Sequence, residues 1–160
     1  MLDVIFAIKF VHMIAVAVMF GTWLCIALFM LFAYRSGNTS VVALTSVFAV
    51  RAELTLMAPA IALQPLAGFP LAIAIGDRLD EYWFEMSVAI YAGVVVAWLA
   101  NLIMELRMRS VTQEAALNGK PLPDSYRRMF FAWSGLTLAG LAGMIAIMAL
   151  MIWQPHWYRA

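Results

Sequence analysis

Residues 4–34, VIFAIKFVHMIAVAVMFGTWLCIALFMLFAY, decide the fold. The run is apolar and free of proline, and at a helical rise of about 1.5 Å per residue it is longer than the ~30 Å hydrocarbon core of a bilayer. Lys9 and His12 interrupt it one helical turn apart, and Asp3 is the only acid near them on the same helix. An ionisable group inside a membrane span is costly enough that function is its first explanation. The acidic Asp3, the length of the run and the lack of a small-x-small site after it predict a transmembrane helix and not a cleaved signal.

The rest of the chain agrees with that reading. Of 160 residues, 66% are hydrophobic and 12% charged, more apolar surface than a soluble domain of this length can hide. The implied solvent, and first partner, is a lipid bilayer. A net charge of +1 without a basic stripe argues against nucleic acid as a partner. Cys25 is the sole cysteine, which rules out an intrachain disulfide and a thiolate cluster.

Four spans are predicted, at roughly 4–34, 54–76, 83–106 and 129–153, as a single transmembrane domain over 1–160. Val41 to Val50 reads as an interfacial piece or an extension of the second helix. A polar linker over 110–128 carries turn signals at Asn118-Gly119 and Pro121-x-Pro123. The fold class is all-α, a polytopic membrane four-helix bundle. Arg35, Arg51, Arg107, Arg109, Lys120, Arg127 and Arg128 fall on one side, against Arg78, Arg159 and the deeper Lys9 on the other. The positive-inside rule then puts both termini on the outer, periplasmic side of a bacterial inner membrane. Tyr82, Trp83, Trp153, Trp157 and Tyr158 read as an aromatic belt on that side, and His156 as part of the same anchor.

Ala89, Gly93, Ala97 and Asn101 in the third span, and Gly135, Ala139 and Gly143 in the fourth, form small-residue stripes that suit close helix packing. Pro59, Pro65 and Pro70 in the second span each remove a backbone hydrogen bond, so that helix is expected to be kinked or locally opened. Near the cytoplasmic end Arg51, Glu53, Asn101, Glu105, Arg107 and Arg109 gather, and their expected role is interfacial ion pairing, for example Arg51 with Glu105.

The candidate site lies in the outer half. His12 falls roughly 12 Å below the outer boundary, and Gly68, Tyr91 and Met144 reach the same level by counting along their helices. His12 is a possible metal ligand, to the iron of haem b, with Met144 depth-matched as a second ligand or none at all. Lys9 suits a haem propionate, a quinone oxygen or a carboxylate, with Glu85 as a possible ion-pair partner. The plainer readings are that Lys9 snorkels to the headgroups and that His12 hydrogen-bonds within the bundle.

Lys9-Phe10-Val11-His12 leading to Gly21, Pro65-Leu66-Ala67-Gly68, Trp83, Tyr91, Trp98, Glu105-Leu106-Arg107-Met108, Pro121-x-Pro123-x-x-Tyr126 and Trp153-Gln154-Pro155 together resemble an uncharacterised family of predicted four-helix bacterial integral membrane proteins. That resemblance spans essentially the whole chain and implies fold and location, with no activity attached. The first helix alone is similar to that of haem-dependent bacterial protoporphyrinogen oxidases and copper-resistance D membrane domains, which implies a haem-ligand role for His12. Those oxidases also use a lysine in a later membrane helix, whereas Lys120 here falls in the linker. Three functions follow as expectations: a haem-b-binding or quinone-linked redox component, a non-catalytic subunit or assembly factor of a membrane complex, and a small-solute or proton transporter.

Overall fold

A computed structural model describes residues 2–76 and 79–154. Arg78, Pro155, His156, Trp157, Tyr158 and Arg159 lie outside the described residues. Helix α1 runs Leu2–Arg35, and α2 runs Thr39–Ala52. A π-helical turn, Glu53–Met57, joins α2 without a break to α3, Ala58–Ile75. Helix α4 is Tyr82–Leu117 and α5 is Asp124–Trp153. Among the described residues, four helical segments are therefore long and apolar enough to cross a membrane: Leu2–Arg35, Thr39–Ile75, Tyr82–Leu117 and Asp124–Trp153. With four crossings, the start of α1 and the end of α5 lie at one end of the bundle, which we call the terminal end; the opposite end, with its two tight turns, is the hairpin end.

Those turns have local causes. Gly37 takes φ +66° and its N–H bonds to the Tyr34 carbonyl, a left-handed stop that glycine adopts without strain. Asn38 then caps α2, its Oδ1 accepting from the N–H of Ser40 at 2.9 Å and of Val41 at 3.3 Å. So short a connection makes α1 and α2 antiparallel neighbours. Segment 41–50 is an extension of the second span's helix. The linker expected over 110–128 is helical as far as Leu117, because Thr112 and Ala115 remain on the buried stripe of α4; the turn itself is confined to 118–123.

Wide-turn geometry appears where the prolines demand it. The Ala58 N–H bonds back to the Glu53 carbonyl, five residues away, immediately before Pro59. A proline ring crowds the carbonyl four residues earlier, and a widened turn gives it clearance. Pro65 leaves the Ile61 carbonyl without its helical donor, and the Tyr91 hydroxyl of α4 supplies one at 2.6 Å. The expected interruption of the second span is thus one π-turn and one cross-helix hydrogen bond inside a continuous helix.

The interior forms two main clusters. One joins Ala15, Met19, Trp23, Met57, Val94, Trp98 and Met144; the other, toward the hairpin end, joins Ile26, Met30, Val42, Met108, Tyr126, Phe130 and Trp133. Trp23 occupies the space a side chain at Gly140 would need, so α5 reaches α1 only because residue 140 is glycine. The small-residue stripes behave differently from expectation. Ala89, Gly93, Gly135 and Ala139 are exposed, and the stripes turn inward at Ala97, Asn101 and Gly143, with Gly143 against Val94. A four-residue spacing advances about 40° per step around the helix, so such a stripe winds off any straight interface. Trp83 is likewise not a belt residue: it is buried with Ala72 and Phe84 and donates to Glu81 Oε2 at 2.7 Å, while Tyr82 and Trp153 are exposed.

Candidate functional site

Toward the terminal end, α1 meets α3 at His12. The imidazole rests on Gly68, where a Cβ would lie 3.1 Å from the ring Cε1 and 3.4 Å from Nδ1. The Gln64 amide donates to the His12 backbone carbonyl at 3.4 Å. His12 Nδ1 is enclosed and has no hydrogen-bond partner. Of the residues grouped by depth, the fold therefore brings together His12 and Gly68. Lys9 is exposed on α1 and makes no ion pair among the described residues, so the expected link to Glu85 is not formed. Tyr91 is committed to the Ile61 carbonyl, and Met144 is packed in the interior cluster with Trp23 and Leu141.

A second group, toward the hairpin end, is the more unusual one. Glu53 opens the π-turn and Glu105 sits on α4; they are 0% and 1% exposed, in helices otherwise made for lipid. The Trp98 indole N–H donates to Glu53 Oε2, and the Trp133 indole N–H donates to Glu105 Oε1 at 2.8 Å. The second oxygen of each carboxyl, Glu53 Oε1 and Glu105 Oε2, is buried without any donor. One turn along α4, the wholly buried Asn101 amide lies 2.9 Å from Thr137 Oγ1 of α5. The centre thus ties the π-turn, α4 and α5 together through polar side chains.

This corrects the ion-pair expectation. Arg51 is exposed and points away, while Glu105 is turned inward onto Trp133. The helical period explains the difference: Trp98, Asn101, Glu105, Met108, Thr112 and Ala115 recur at three- and four-residue steps and share one buried face of α4. Glu105 is about 33 Å along α4 from Trp83, near the full depth of the hydrocarbon core. Each glutamate is two residues from an arginine, Arg51 or Arg107, so the pair is buried just inside the cation-bearing end.

Chemically, an ionised carboxylate only accepts hydrogen bonds, whereas a protonated one also donates. Each of the two enclosed carboxyls keeps one oxygen with no donor, where a protonated form would carry no charge. The group is a poor metal site by donor number: among the described residues no three His, Cys, Asp or Glu side chains come together. A family model described as predicted integral membrane protein (DUF2269) matches residues 6–155. No curated protein and no solved structure matches the chain.

Proposed function

We propose that this chain, which belongs to the DUF2269 family of predicted integral membrane proteins, binds and conducts protons through the Glu53–Glu105 pair. One observation carries the reading: two enclosed carboxyl groups, each held by one indole N–H, each keep a buried oxygen with no donor. Ionisable residues inside membrane spans mark ion pathways and proton relays among their functional roles. At 0% and 1% exposure the pair is closed off from bulk solvent, a setting that suits proton binding. The carboxyls would exchange protons with the nearby hairpin end.

The test is potassium-diffusion-driven proton uptake into proteoliposomes carrying a trapped pH-sensitive dye. Uptake above that of empty liposomes, lost in both Glu53→Gln and Glu105→Gln, is the expected result. Wild-type flux equal to that of empty vesicles rejects conduction. Infrared spectroscopy separates binding from conduction, because a protonated carboxyl gives a carbonyl band that either substitution would remove.

A second reading rests on His12, whose enclosed and unpartnered Nδ1 against Gly68 supports a site for a haem b or a quinone. A reduced-minus-oxidised visible spectrum checks it. Soret and alpha bands that vanish in His12→Ala would establish haem, and a featureless spectrum from folded protein would remove it. For orientation, the concentration of Arg35, Arg107, Arg109, Lys120, Arg127 and Arg128 at the hairpin end supports an inner-membrane protein with periplasmic termini. An active alkaline phosphatase fused at the C-terminus is the expected outcome, and a fluorescent GFP fusion there would reverse the assignment.

A further inference from the structure

The face of the π-turn opposite Glu53 borders a groove of about 700 Å³ between α1 and α2. Gly21, Cys25 and Phe29 of α1 line one wall, and Phe48, Arg51 and Thr55 the other. The volume falls within the range of sites that hold a small organic ligand. The lining is mainly apolar, with three threonines, Thr22, Thr45 and Thr55, and one charged residue. The hydroxyls of Thr45 and Thr55 are turned back onto the carbonyls of Val41 and Arg51, both at 2.8 Å, which leaves Arg51 as the only charge in the groove.

Arg51 is exposed between the equally exposed Phe48, Leu54 and Leu56, on a helix apolar enough to cross a membrane. Its neighbour acids are taken: Glu53 is held by Trp98 and Glu105 by Trp133, both inside the bundle. Arg51 itself pairs with no carboxylate among the described residues. A guanidinium on a lipid-facing surface is costly without a counter-ion, and its planar fork fits phosphate oxygens well. A helix apolar enough to cross a membrane would present this face to acyl chains, so the counter-ion most available to it there carries a chain that the groove can take.

We propose that this groove is a site for an anionic phospholipid, with an acyl chain lying between α1 and α2 and the phosphate on Arg51. Neutral phospholipids fill the same space but leave the guanidinium without net counter-charge. The proposal goes beyond proton conduction and does not depend on it. Thr55 belongs to the turn that Glu53 opens, so the bound lipid would touch the back of the carboxylate centre.

The experiment uses phosphatidylglycerol with a diazirine in its acyl chain, photolysed in phosphatidylcholine liposomes containing the full chain. Cross-linked peptides are then mapped by mass spectrometry. Labelling should concentrate on 21–29 and 45–56, and excess unlabelled phosphatidylglycerol should remove it where equal phosphatidylcholine does not. Arg51→Gln should reduce that labelling about fivefold, the scale of one basic side chain acting on an anionic headgroup. Equal competition by the two lipids in the wild-type protein overturns the proposal, as does unchanged groove labelling in a folded Arg51→Gln. Soluble glycerol phosphate competing as well as the lipid would mean a phosphate site without a lipid, and overturns it too. Glu53→Gln should keep the labelling pattern, so failure of the proton reading and failure of this one give different results.

Discussion

The hydroxyl of Tyr91 donates to the carbonyl of Ile61 at 2.6 Å, the same carbonyl that Pro65, four residues on, deprives of its helical partner. A side chain of α4 thus repairs a defect in α3, and in doing so fixes the two helices in register. Tyr91→Phe should destabilise the protein by about 1–3 kcal/mol, the cost of a buried acceptor left unserved. Thermal unfolding in detergent measures it. In a Pro65→Ala background the restored N–H should take over, and the tyrosine substitution should then cost much less; equal costs in both backgrounds would disprove the repair.

Trp133→Phe removes the donor to Glu105 while keeping most of the ring. A loss of about 1–3 kcal/mol is expected. The same change made beside Glu105→Leu should cost less, because no carboxyl remains to be served. A double-mutant cycle on melting curves gives the coupling, expected between about 0.5 and 3 kcal/mol.

Three glycines should part company when changed to alanine. At Gly140 a Cβ would overlap the Trp23 ring, and the penalty should be at least about 1–3 kcal/mol. At Gly93 and Gly135 nothing lies within 4 Å, so those substitutions should be neutral or gain up to about 1 kcal/mol from helix propensity. Similar melting shifts at all three positions would contradict the packing described.

Gly68→Ala is a milder test of the α1–α3 contact. With a Cβ 3.1 Å from His12 Cε1, the ring must retreat by a few tenths of an ångström. A loss below about 1.5 kcal/mol is expected, and His12→Ala should abolish it. A Gly68→Ala penalty that persists without the imidazole would place its cause elsewhere.

The spans were legible because an apolar run longer than a bilayer admits few readings, and residues 4–34 sufficed to set the class. The union of 41–50 with the second span is one of two readings the sequence leaves open, because Arg51 and Glu53 interrupt the hydropathy; the π-turn itself leaves no mark on a periodic pattern. His12 and Gly68 were paired correctly by depth, since a constant rise per residue carries across two helices. Glu53 and Glu105 were noticed but assigned to the surface, because each sits two residues from an arginine. The signal that could have placed them inside was rotational. Glu105 is seven residues from Trp98 and four from Asn101, on the stripe that also carries Met108 and Thr112. Depth counting ignores that angle, and it is the angle that separates a lipid-facing Arg51 from an enclosed Glu53.

The seat of Trp23 against Gly140 has a consequence for biogenesis. Helix α1 is synthesised well before α5, yet its Trp23 is seated against Gly140 of α5, and the donor to Glu105, Trp133, is also on α5. A nascent chain with three helices inserted therefore holds an acid without its indole and a tryptophan without its slot. Membrane insertion can proceed helix by helix, but the interior closes only after residue 140 has left the ribosome. Until then the partly made bundle leaves Glu105 without its indole donor and Trp23 without its slot.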